Sequence, residues 1–198
     1  MKKIKVLDIG CGLNKVPNAD GMDALPLPNV DIVHDLNKFP YPIKDNTYDK
    51  IYCYHILEHV DDLIKVMNEI YRIGKNNCKV YIRGPHCSCN STVWIDPTHK
   101  RGLSIRMFTD YFSQNAKWSF YTTSNFALDE IKLNYVTTVN NSRIPRVISA
   151  SLSFIANLNR TSQELCERLW SYWFGGFEEI EVKLTVKKDL GNIHLKRR

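Results

Sequence analysis

No run of apolar residues in this sequence is long enough to cross a membrane, since a spanning helix needs about 20 of them. Met1-Lys2-Lys3 leads straight into a strand-like segment without the apolar stretch and small-residue cleavage site of a secretory leader, so the expected compartment is the cytoplasm. A disulfide framework is missing as well. The six cysteines, at 11, 53, 78, 87, 89 and 166, are irregularly spaced in a chain large enough to fold on its apolar core. Cys87-Ser88-Cys89 has no second pair at zinc spacing, which argues against a structural zinc. Repeats, low-complexity tracts and linkers are absent, so residues 1–198 are expected to form one domain. There is no acidic excess: 27 Lys and Arg against 21 Asp and Glu give a net charge of +6, part of it in Lys2-Lys3-Lys5 and Lys196-Arg197-Arg198. Mild basicity permits an anionic partner, such as a nucleotide-linked sugar or RNA, but terminal charges of this kind mainly serve solubility.

What is present is ordinary globular composition, 43% apolar and 24% charged, arranged in segments of alternating period. Lys3 to Ile9 reads as a buried strand, with further short strands at Asp20–Met22, Val30–Val33, Tyr48–Tyr54 and Lys79–Ile82. Leu63, Val66, Met67, Ile70 and Ile73 recur at helical spacing from Asp61 to Gly74, and Gly84-Pro85 predicts a turn directly after the fifth strand. Beyond a polar loop from His86 to Arg101, a short helix is expected from Ser104 to Phe112 and a strand within Phe126–Tyr135. Two apolar-aromatic helices, Val147–Asn157 and Ser162–Trp173, then precede a final strand, Glu178–Lys187. Strands alternating with helices imply an α/β fold with a mainly parallel sheet.

The first strand ends in Leu7-Asp8-Ile9-Gly10-Cys11-Gly12. A Gly-x-Gly turn lets the backbone approach a nucleotide-type ligand with no side chain in the way. The dinucleotide fingerprint wants a third glycine where Lys15 stands, and Pro17 breaks the helix it also needs, so NAD is disfavoured. Asp8, two residues before the first glycine, suits the ammonium of a methionine moiety better than a phosphate.

These residues resemble the class I S-adenosylmethionine (SAM)-dependent methyltransferases, in particular the methyltransferase type 11-like group; Phe39 to His59 and Glu69-Ile70-Tyr71-Arg72-Ile73 extend the similarity. The resemblance implies a Rossmann-like three-layer sandwich: a mostly parallel seven-stranded sheet with an antiparallel last strand. The helical insertion, about 145–176, would come before that strand. It implies SAM as cofactor, with Asp8, Gly10, Cys11 and Gly12 at the methionine end and Asp23 on the ribose hydroxyls. Asp35 and Leu36 would then lie at the adenine, with Tyr54 and His55 lining the pocket. The link between the first two strands is short for the family, so its first helix should be a turn.

His55-Ile56-Leu57-Glu58-His59 also spells the inverted zincin motif H-x-x-E-H, but within this pattern a protease is rejected. Some relatives, small-RNA 2′-O-methyltransferases and ubiquinone-pathway O-methyltransferases, carry a Glu at the position of His55 and hold a divalent ion there. By that resemblance Glu58 and His59 with His86 are the alternative metal set, with Asp96 or His99 able to complete it, although no metal is favoured. Without one, a histidine is the natural general base; His86 and His99 lead, followed by His55. Asp96 and Arg101 share their loop with Trp94, a candidate platform for a polar acceptor. The expected chemistry is methyl transfer to a hydroxyl of a sugar or other metabolite by a monomer or homodimer, without a membrane partner. An RNA methyltransferase and a catalytically silent binding protein are the alternatives. Phe154, Leu165, Leu169, Trp170, Tyr172, Trp173 and Phe174 give the insertion more apolar surface than it should expose, so it is expected to cover the site as a lid or to form a dimer.

Overall fold

The computed structural model describes residues 4–135, 143–171 and 176–188. Seven strands form a single sheet: β1 (Val6–Ile9), β2 (Asp20–Asp23), β3 (Ile32–Val33), β4 (Tyr48–Tyr54), β5 (Gly74–Pro85), β6 (Phe126–Asn134) and β7 (Glu179–Val186). Their order is β3-β2-β1-β4-β5-β7-β6. The pairs from β3 to β5 are parallel, and β7 runs antiparallel to both neighbours. The order reverses between β1 and β4, which opens a crevice beyond the carboxyl ends of these strands.

α1 (Leu63–Ile73) starts where the Asp62 side chain accepts the Lys65 N–H, and it buries Val66, Met67, Ile70 and Ile73. Its partly buried Glu69 and Arg72 organise the chain before β4. Glu69 Oε2 accepts the Tyr41 N–H at 2.6 Å, and Arg72 donates to Glu69, Asp45 and the carbonyls of Tyr41 and Ile43. Burial alone would raise the Glu69 carboxyl, but Arg72 and the Tyr41 N–H outweigh it and hold it below its ordinary value.

The expected strands and α1 are present, and the link from β1 to β2 is a turn; neither it nor the connections 24–31 and 34–47 contains a helix. The turn expected at Gly84-Pro85 gives way to strand. β5 continues through both residues because β7 pairs with them, Gly84 opposite Ile180 and Pro85 opposite Glu179, and proline is tolerated at a strand's end. The loop from His86 to Arg101 contains one helical turn, α2 (Asn90–Val93), and α3 (Ile105–Met107) runs on as a wider turn, Phe108–Phe112.

The insertion before β7 consists of α4 (Arg143–Ala156) and α5 (Arg160–Leu165), the latter continued by a wide turn, Cys166–Trp170. Polar side chains fasten it to the sheet: Asn157 bonds both backbone groups of Leu133, and Ser153 Oγ accepts the Tyr135 N–H. Phe154, Leu165 and Leu169, expected to cover the site or to form a dimer, are exposed. Tyr172, Trp173, Phe174 and the Trp170 side chain lie outside the described residues.

Candidate functional site

At the end of β1, Gly10 adopts φ +69° and Gly12 φ +49°, left-handed conformations that disfavour any side chain. A Cβ on Gly10 would lie 2.4 Å from Ile56 Cγ1, so the turn closes against the residue after His55. A Cβ on Gly12 would meet nothing within 4 Å. The first glycine is packed and the second faces open space, as a cradle for a ligand requires. Gly10 N donates to Met22 O at 2.7 Å and Gly12 N to Asp23 Oδ2 at 3.0 Å, tying the cradle to β2.

The acids of the crevice are partly engaged by backbone. Asp8 is 3% exposed, and its Oδ2 accepts the Val16 N–H at 2.7 Å, so it ties the β1–β2 link together. Burial pushes its carboxyl above the ordinary value against the effect of that N–H. Asp23 accepts from Gly12 and from Leu25 N, and Asp35 from Asn37 N, leaving lone pairs on both carboxylates. Leu36 is buried, and its carbonyl accepts the Tyr41 hydroxyl. Cys11 is buried beside the cradle, and the Arg83 guanidinium covers the Tyr54 ring at 4.7 Å.

A second group gathers at the carboxyl end of β4. His55 has φ +51°, an uncommon conformation for a non-glycine that brings it off the sheet. Its Nε2 lies 3.1 Å from Glu179 Oε2 and its Nδ1 3.6 Å from Glu58 Oε1. Glu179 and Glu58 push the imidazole up to about 9. His55 is therefore clamped between two carboxylates that favour its charged form. Glu58 is 1% exposed and its Oε2 makes no hydrogen bond.

His99 Nδ1 donates to the Val93 carbonyl at 2.6 Å, so its Nε2 bears the lone pair in the uncharged ring, 3.9 Å from Glu58 Oε1. Thr98 Oγ1 gives its hydrogen to Asp96 and accepts from His59 Nδ1 at 2.9 Å, leaving His59 Nε2 free in the same way. One donor atom each from Glu58, His59 and His99 falls within 4.8 Å. Two imidazoles and a carboxylate suit a borderline divalent ion such as zinc.

His86 does not belong to this set. It is fully buried, with Nδ1 on Ser88 Oγ at 2.7 Å and Nε2 on Glu167 Oε1 at 3.0 Å. Glu167 also accepts the Ile105 N–H, and these two partners hold it below its ordinary value despite its burial. His86 thus tethers β5 to the insertion and lies outside the group formed by Glu58, His59 and His99. Cys87 lies beside that pair, while Cys89 contacts Ser91 Oγ. The Arg101 guanidinium is spent on the carbonyls of Leu57, Val60 and Asp61, which removes it from the expected acceptor rim. Trp94 is exposed on the same loop. Sequence reasoning missed Glu179 and Glu167, which reach His55 and His86 from far along the chain with no spacing to announce them.

Residues 22–82 match a family described as a methyltransferase domain. A stretch of 41 residues is 51% identical to an uncharacterized protein of Methanocaldococcus jannaschii, spanning 21% of this chain and 18% of that protein. A SAM-dependent methyltransferase from Archaeoglobus fulgidus superposes with TM-score 0.55 at 17% identity, covering 92% of this chain and 86% of the other. A putative sarcosine dimethylglycine methyltransferase from Galdieria sulphuraria gives 0.54 at 13%, over 93% and 79%. The [4+2]-cyclase SpnF gives 0.55 at 12%, over 94% and 75%. The chain thus has the fold of SAM-dependent methyltransferases, and its residues 22–82 match the methyltransferase-domain family.

Proposed function

We propose that the chain transfers the methyl group of SAM to a hydroxyl of a small polar acceptor, such as a sugar or related metabolite. The observation that carries this reading is the adjacency of two unlike features at one sheet edge. The open glycine turn ends β1, and the imidazole–carboxylate rim of His55, Glu58, His99 and Glu179 lies at the end of neighbouring β4. The cradle fits SAM: Gly12 leaves room for a ligand, while Asp23 and Asp35 retain lone pairs for ribose hydroxyls and an adenine amine. Bound SAM supplies a methyl group on a sulfonium, already a good leaving group, so the protein has mainly to position donor and acceptor.

A hydroxyl acceptor must also lose a proton, and the rim presents lone pairs to receive it on His99 Nε2 and the Glu58 carboxylate. With His86 buried and His55 clamped, His99 is the histidine whose substitution bears most on transfer. The test is transfer of tritiated methyl from SAM to fractionated extract, separated into RNA, protein, glycan and small-molecule pools. Label in the glycan or small-molecule pool, reduced at least tenfold by His99→Gln, supports the reading. Label confined to RNA or protein, or SAM binding without transfer to any pool, refutes it.

A further inference from the structure

The insertion is built inside out. Along α4 and the turn after it, Val147, Ile148, Phe154, Ile155 and Leu158 point to solvent, Val147 and Phe154 being 66% and 69% exposed. The residues turned inward are small or polar: Ser149 is 7% exposed, Ala156 fully buried, and Gln163 at the start of α5 is 7% exposed. Gln163 donates to the Ile131 carbonyl and Asn157 grips Leu133, so polar bonds hold the hairpin to β6. Leu165 at the end of α5 and Leu169 in the wide turn after it are exposed as well. Amphipathic helices of a water-soluble protein turn the opposite way, and a contiguous apolar surface of this kind marks an interaction site.

Charge selects the partner. From Ile131 to Gln163 the sequence contains no Asp or Glu, whereas Arg143 and Arg146 fall in the first turn of α4 and Arg160 starts α5. Exposed Arg168 lies between Leu165 and Leu169. Of the acids on α5 and the turn after it, Glu164 is paired with Arg160 and Glu167 with His86. A second copy docked through this face would bring one exposed Arg168 toward another, while Glu164 and Glu167 are already engaged. An apolar helix face in a segment without acids, with the exposed Arg168 beside it, is instead the pattern of a helix lying in the interface of an anionic bilayer.

We infer that α4 and α5 dock the protein on an anionic lipid surface, with the apolar side chains of Phe154, Leu158 and Leu165 entering the acyl boundary. Among the described residues no helix is long and apolar enough to cross a membrane, so the contact is peripheral. The face lies at the end of the sheet that carries the rim. The insertion is held there by Asn134–Tyr135 at the end of β6 through Ser153, and by His86 at the end of β5 through Glu167. Recruitment would therefore bring the acceptor edge beside the lipid headgroups.

The experiment is flotation of the full chain with vesicles of phosphatidylcholine alone or mixed with phosphatidylglycerol, without SAM or acceptor, so its outcome is independent of methyl transfer. The wild type should float with the mixed vesicles and much less with neutral ones, and high salt should release it. Phe154→Ser and Leu158→Ser should each lower partitioning on the order of tenfold, and Arg168→Glu severalfold. SAM affinity by calorimetry should stay unchanged in all three, which shows that they remain folded. Wild type left in the aqueous fraction at both compositions would overturn the inference. So would a dimer seen by light scattering without lipid and abolished by Phe154→Ser, since the face would then be an interface between copies.

Discussion

The two glycines of the first turn should separate stability from ligand binding when each is replaced by alanine. At Gly10, φ +69° places an L-residue in the left-handed region at a cost of about 1–2 kcal/mol. The new Cβ would also lie 2.4 Å from Ile56 Cγ1 and 2.7 Å from Ile56 Cβ and Cδ1, an overpacking that adds about 1–3 kcal/mol. Gly10→Ala should therefore lose about 2–5 kcal/mol of unfolding free energy. At Gly12, φ is +49° but nothing lies within 4 Å of the added carbon, so only the backbone cost of about 1–2 kcal/mol applies. Urea unfolding of both variants measures the difference. Ile56→Ala should lower the cost of Gly10→Ala by at least about 1 kcal/mol, because it removes two of the three close contacts. Equal losses at the two glycines, or no coupling with Ile56, would refute the packing argument.

Other outcomes follow from the same structure. Gly12→Ala should weaken SAM binding at least tenfold in calorimetry while the protein stays folded, because its side chain enters the open cradle. Glu167→Ala leaves the buried His86 and the Ile105 N–H without their partner; it should cost about 3–5 kcal/mol in urea unfolding, and Glu167→Gln appreciably less. Arg72→Ala strands Glu69 and the carbonyls of Tyr41 and Ile43 and should cost about 2–4 kcal/mol by the same measurement. Glu69 and Glu167 are both held below their ordinary 4.5, so their stabilisation is complete above that value and is lost as pH falls through the lower folded values. The urea midpoint should accordingly hold from pH 7 to 5 and drop below 4.5, with a smaller drop in Glu69→Gln.

The sheet was legible because its signals are local. Strand period, the Gly-x-Gly turn and the spacing of Leu63, Val66 and Ile70 each act within a few residues. The length of β5 was not, since Gly84 and Pro85 are held in strand by β7, almost a hundred residues further on. The same limit applied to the rim. His55, Glu58 and His99 could be named from short motifs, but Glu179, which sets the charge of His55, comes from the last strand. His86 looked like a free histidine beside a loop and proved to be buried, because Glu167 on the insertion claims it. The apolar-aromatic run Val147–Asn157 predicted a helix without revealing that Val147, Ile148 and Phe154 turn outward, while Asn157, Ser153 and Gln163 hold the insertion to β6.

The helix-free connections from β1 to β4 have a consequence for motion. Residues 10–19, 24–31 and 34–47 cross from strand to strand without a helix to cover them, and Leu13, Leu25 and Val33 stand exposed on that side. β3 is only two residues long. Local opening should therefore need less free energy at β1–β3 than in the longer β4, β5 and β7, each paired on both sides. Amide hydrogens of β1–β3 should exchange ahead of those in β4, β5 and β7, and SAM should slow the exchange of Gly12 and Asp23 far more than that of Val182 or Leu184. A ligand that completes the thin half of the sheet would then act as part of its architecture.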